Sequence, residues 1–189
     1  MDRKRATLTG LAAILLWSTM VGLIRSVSEG LGPVGGAAMI YTVSGLLCLV
    51  TVGFPDLRRF STRYLIAGSI LFVSYEMCLA LSLGYAATRS QAIEVGMVNY
   101  LWPSLTIAFA ILFNGQKTTL WVIPGLLISL LGVCWVLGGE NGLQLNDIMQ
   151  NVVSSPLSYG LAFAGAFIWA AYCTVTSKYA KGQNGITLF

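Results

Sequence analysis

Six apolar runs of about 20 residues each, separated by short polar turns, constrain this chain more than any other feature. They lie at residues 6–24, 34–54, 64–83, 92–113, 120–138 and 157–175. A backbone N–H or C=O left unpaired in hydrocarbon costs several kcal/mol, so runs of this length cross a bilayer as helices. The predicted fold is therefore an all-α integral membrane protein with six transmembrane helices. Composition agrees: 56% of residues are hydrophobic and 10% charged, where a soluble domain carries about 25% charged residues. The basic start and apolar run at 6–24 are too long for a signal peptide, and no convincing A-x-A cleavage site precedes Arg25.

What is missing narrows the chemistry. With no histidine in the chain, Ser/His/Asp triads and His-ligated zinc are excluded, no paired-carboxylate constellation stands in for them, and the chain is expected not to be an enzyme. No metal or other cofactor is implied, and no GxxxxGK[ST] motif points to nucleotide-driven pumping. Cys48, Cys78, Cys134 and Cys173 fall in four different apolar runs without a CxxC pair, which reads as small buried hydrophobes.

The net charge of +4 does not imply nucleic acid, because the basic residues sit at the ends of the runs. With the N-terminus cytoplasmic, nine of them (Arg3, Lys4, Arg5, Arg58, Arg59, Arg63, Lys117, Lys178, Lys181) are inside and two (Arg25, Arg89) outside. That bias predicts one orientation in the membrane. The longest connection, residues 139–156, then lies outside with Glu140 and Asp147. Its middle, 146–153, reads equally as a short interfacial helix or as an ordered loop.

An internal echo suggests the architecture. Setting Trp17 on Trp169 aligns AILLWSTMVGLIRSVSEG with GAFIWAAYCTVTSKYAKG at an offset of 152 residues. Five spans separate the copies, an odd number, so the second copy enters from the opposite face, which is inverted-repeat logic. The expected domains are residues 1–138 as a first five-helix repeat, 139–156 as the outer loop, and 157–189 as the first helix of a truncated second repeat with a following cytoplasmic segment.

The fourth run, AIEVGMVNYLWPSLTIAFAILFNGQ, is the one place where a soluble molecule would be handled inside the bilayer. Glu94 and Asn99 are expensive against lipid, and Pro103 predicts a helix break because it lacks an N–H and crowds the preceding turn. Glu94 and Glu76 read as coupling or amine-recognising carboxylates, or as carboxylates snorkelling outward or hydrogen-bonded to Ser and Tyr. Trp17, Tyr75, Asn99, Trp102, Trp169 and Tyr172 are the candidate substrate-binding residues, a set suited to planar solutes, with lipid-facing or packing aromatics as the alternative for any one of them. Tyr100 and Trp102 diverge by about 200° on a helix and are not expected to share a cavity.

LLWSTMVGLIR, GPVGG, EVGMVNYLWPSLTI, PGLLISLLGVCWVLGG and GAFIWAAYCTVT together resemble an EamA-type member of the drug/metabolite transporter superfamily. Within it, the chain is most similar to bacterial inner-membrane exporters of aromatic amino acids, also linked to methyl viologen efflux. The resemblance implies a ten-helix parent of two inverted five-helix repeats, alternating access, and export of phenylalanine, tyrosine and tryptophan. It implies as partners a lipid bilayer and a small-molecule substrate, with no nucleic acid or nucleotide. Where family members often end the fourth span with leucine, glycine and glutamate, this chain has Asn114-Gly115-Gln116, and that position is assigned no charge role. A cation or drug carrier and a non-transporting membrane scaffold or accessory subunit remain as alternatives.

Overall fold

The computed structural model describes residues 3–54, 56–137 and 145–180. Residues 139–144 of the expected outer loop and the expected cytoplasmic segment 181–189 lie outside the described residues. Among the described residues every regular element is helical: α1 (Arg3–Ser18), α2 (Met20–Thr51), a 3-10 turn (Leu57–Arg59), α3 (Thr62–Gly84), α4 (Arg89–Asn99), α5 (Trp102–Asn114), α6 (Val122–Leu137), α7 (Leu145–Ser154) and α8 (Pro156–Tyr179).

The helical, apolar run Thr7–Thr51 has 45 residues. At about 1.5 Å per residue it would be roughly 68 Å long, more than twice the hydrocarbon thickness. One residue divides it. Gly32 has φ 75° and ψ 164° inside α2, a conformation that costs a side-chain-bearing residue a steric clash, and Pro33 follows it. The chain folds back there so tightly that a Cβ on Gly36 would lie 2.9 Å from the Ser28 Cα. The first helix thus runs past the expected end at residue 24, and the connection expected between the runs 6–24 and 34–54 shrinks to this break. With α3, the pair α4 and α5, α6 and α8, the spans among the described residues number six.

Local chemistry sets the helix starts. Ser61 accepts from the Tyr64 N–H at the start of α3. Thr88 accepts from the Gln91 N–H at 3.1 Å while the Gln91 side chain takes the Ala87 N–H at 2.6 Å, a reciprocal cap that satisfies two orphan donors. Asn146–Val153, open between helix and loop in the sequence, falls within α7, with Met149 and Val153 exposed.

Between spans the hydrophobic effect supplies little, because lipid is as apolar as leucine, and close packing of small residues takes over. The α8 face carrying Ser158, Ala162, Gly165, Ala166 and Ala170 is buried. It seats α8 chiefly against α3, and also against α4 and α5, while α2 packs on the other side of α3. Arg25 secures the C-terminal part of the first span, its guanidinium donating to the carbonyls of Leu83, Gly84 and Ala86 at the C-terminal end of α3. A cation is favourable at a helix C-terminus. Glu29 pairs with both Arg25 (3.1 Å) and Arg89 (2.8 Å), so the two arginines read as orienting charges also tie three helices together.

Candidate functional site

The fourth span breaks where Pro103 predicts it. The Leu101 N–H turns back to the Val98 carbonyl at 3.1 Å, and α5 begins afresh at Trp102 with proline in its first turn. The first span has its own irregularity at Ser18 and Thr19, where α1 and α2 meet. A small cavity lies between the two breaks, bordered by Trp17, Tyr75, Asn99, Tyr100 and Trp102. Tyr100 and Trp102 therefore do border one cavity, contrary to the 200° expectation, because the backbone between them is not α-helical.

Trp169 is the hub of the aromatic set. Its ring lies 4.4 Å from Tyr75, 5.0 Å from Tyr172 and 6.2 Å from Trp102, in tilted or edge-on arrangements. Such pairs add about 0.5–1.5 kcal/mol each beyond area burial. Phe72, which the sequence reading passed over, joins Trp169 and Tyr172 at 6.2 and 5.7 Å. Its signal was its spacing, three residues before Tyr75 and four before Glu76 on α3.

Asn99 is 6% exposed and donates from Nδ2 to the Tyr75 hydroxyl at 3.2 Å. Its Oδ1 is buried without a hydrogen-bond partner. An amide acceptor in an apolar interior favours any donor brought to it, since leaving it unmet costs about 1–3 kcal/mol. All six candidate binding residues are thus neighbours: Tyr75, Asn99, Trp102, Trp169 and Tyr172 in direct or shared contact, and Trp17, 49% exposed, on the rim of the same cavity.

The two carboxylates part company. Glu76 borders a cleft of about 940 Å³ that also reaches Trp17, Phe72, Tyr75 and Trp169, and it accepts from the Tyr41 hydroxyl at 2.8 Å. Glu94 points instead towards α7 and the start of α8, where it accepts from Tyr159 at 2.7 Å and from Asn151 at 3.1 Å. Gln91 continues that seam, donating to Ser154 and accepting from Ser155. Together they clasp α4 to α7 and α8. Tyr41, Gln91 and Tyr159 carry no signal in the linear pattern, because their partners come from other helices.

At the opposite end, the Asn114 amide donates to the Ser177 hydroxyl at 2.6 Å. Asn114 takes a polar bridging role where the sequence assigned it no charge role. Among the described residues no group of three or more His, Cys, Asp or Glu is placed to hold a metal.

Apolar spans around an aromatic cavity with a few converging polar groups define a class, the multi-pass helical proteins that handle small molecules within the bilayer. Residues 4–138 match the model of the EamA-like transporter family, and the chain belongs to that family. It is 77% identical over 189 residues to the aromatic amino acid exporter YddG of Salmonella typhimurium and 74% identical to that of Escherichia coli K12, covering all of this chain and 64% of each relative. To the YddG of Ancylobacter novellus it is 29% identical over 187 residues, 96% of this chain and 61% of the relative. The chain spans a little under two thirds of the length of these curated relatives. No solved structure matches it.

Proposed function

We propose that the protein to which this chain belongs exports aromatic amino acids from the cytoplasm across a bacterial inner membrane by alternating access. The observation that carries this is the cluster of Tyr75, Trp102, Trp169 and Tyr172 packed around Trp169 beside the Asn99 amide and the break in the fourth span. An aromatic side chain would lie among these rings. Its ammonium would be met by the unpartnered Asn99 oxygen and the Glu76 carboxylate. Glu76 is favoured over Glu94 for that role because it borders the cleft with Trp17, Tyr75 and Trp169, whereas Glu94 lies in the clasp to α7 and α8. The curated names of the relatives support the same substrate class.

The basic bias supports a cytoplasmic N-terminus. The echo between Trp17 and Trp169 supports residues 1–138 as one five-helix repeat, 139–156 as the outer loop and α8 as the start of an inverted second one, within a ten-helix whole. In cells expressing the full-length protein, Trp102→Ala is expected to reduce tryptophan export about tenfold at equal membrane abundance, the loss of one well-packed ring contact. Unchanged export would remove Trp102 from the site.

One observation favours a second reading, a carrier of delocalised cations such as methyl viologen: Glu76 stands in a cleft walled by aromatic faces, which attract cations. Competition of methyl viologen against phenylalanine in the same cells separates the two. Inhibition lost in Glu76→Gln while phenylalanine export persists would favour the cation.

A further inference from the structure

A second cavity, of about 640 Å³, opens at the end of the α5/α8 seam opposite the Glu94 clasp. Its lining differs from that of the aromatic cleft. Asn114, Gln116, Thr174, Ser177 and Lys178 surround it, with the ring of Phe113 on one wall. Its volume falls within the range of small-molecule pockets, about 300–1,000 Å³. Its border comes close to the aromatic cluster: Thr106 and Cys173 line it, and each lies one helical turn beyond a ring of that cluster, Thr106 after Trp102 and Cys173 after Trp169. The Thr106 hydroxyl is itself bonded to the Trp102 carbonyl at 2.7 Å.

We infer that this cavity is the cytoplasmic loading site, where an aromatic amino acid is first held before passing along the α5/α8 seam to Trp169. The chemistry matches an amphipathic zwitterion: Lys178 offers a cation to the carboxylate, Gln116 offers an amide, the Asn114 Oδ1, its amide nitrogen being given to Ser177, offers an acceptor to the ammonium, and Phe113, 63% exposed, offers a face to the ring. Lys178 is in the last turn of α8 and in no ion pair among the described residues; its ammonium lies 5.8 Å from the centroid of the Tyr179 ring, a contact that leaves its charge uncompensated by any carboxylate. The cytoplasmic placement, and with it the direction of loading, rests on the exporter reading above.

The test uses inside-out vesicles holding the full-length protein, which present the cytoplasmic face, and follows tryptophan uptake by wild type, Lys178→Gln and Lys178→Arg at low and high salt. At low salt Lys178→Gln is expected to raise KM about three- to fivefold with Vmax kept, the size of an exposed charge pair. Lys178→Arg should restore the wild-type KM, and high salt should erase the difference by screening. Equal KM values at low salt would overturn the inference. So would a defect that persists in high salt or in the arginine variant, since Lys178 would then act by holding the helix end. Absence of tryptophan uptake by wild type would instead overturn the exporter reading, and the loading site with it.

Discussion

Aligned on Trp17 and Trp169, the first and sixth spans sit in opposite surroundings. Trp169 sits at the centre of a ring cluster, and Ala162, Ala166 and Ala170 on its helix have no exposed surface. At the matching offset, Trp17 is 49% exposed and Ile14, the counterpart of Ala166, is 63% exposed. A helical pattern states which face is available for packing, not what will cover it. For α8 that cover is α3, α4 and α5; for the first span the cover among the described residues lies towards its far end, where α3 and α4 pack around Val21, Ile24 and Arg25.

Several substitutions would break or sharpen this contrast. The largest effect belongs to the buried face: Ala166→Phe forces a ring into the α8/α3 packing and should cost about 1–3 kcal/mol or more, read as lost monodisperse protein after detergent extraction. Its counterpart Ile14→Phe should leave the yield unchanged, and an equal loss in both would remove the contrast. Next is function. Trp169→Ala should lower tryptophan export in the full-length protein on the order of tenfold, against about threefold for Trp17→Ala, because several ring contacts end at one and few at the other. Equal losses would make the two tryptophans equivalent members of one site.

The attachments at the α7 end give smaller steps. Tyr159→Phe deletes the 2.7 Å hydrogen bond to Glu94, a contact of about 0.5–1.5 kcal/mol, and a cysteine placed at residue 151 should then label faster. Glu29→Gln weakens the exposed pairing with Arg25 and Arg89. It should cost under about 1 kcal/mol, a small shift in melting temperature that vanishes in high salt.

The spans and the neighbourhood of the site were legible from the chain alone. Apolar length is a local property, and Trp169 with Tyr172 is placed by helical spacing within one unbroken helix. What was not legible depends on neighbours. Glu76 and Glu94 look alike in the sequence, and only the positions of Tyr41 on α2 and Tyr159 on α8 send one to the cleft and the other to the clasp. The misplacement of Tyr100 relative to Trp102 has a narrower cause: regular helical angles were carried across a proline-induced break, where they do not hold.

Gly32 has a consequence of another kind. It is the single point at which a helix of 45 residues doubles back, so it sets the parity of membrane crossings for everything downstream. Were residue 32 helical, the first two spans would become one rod. Every later connection would then exchange sides, carrying Arg58, Arg59 and Arg63 to the face that now holds Arg25 and Arg89. The charges at the span ends and the geometry of one glycine thus encode the same topology twice, and a Gly32→Leu variant would set the two instructions against each other.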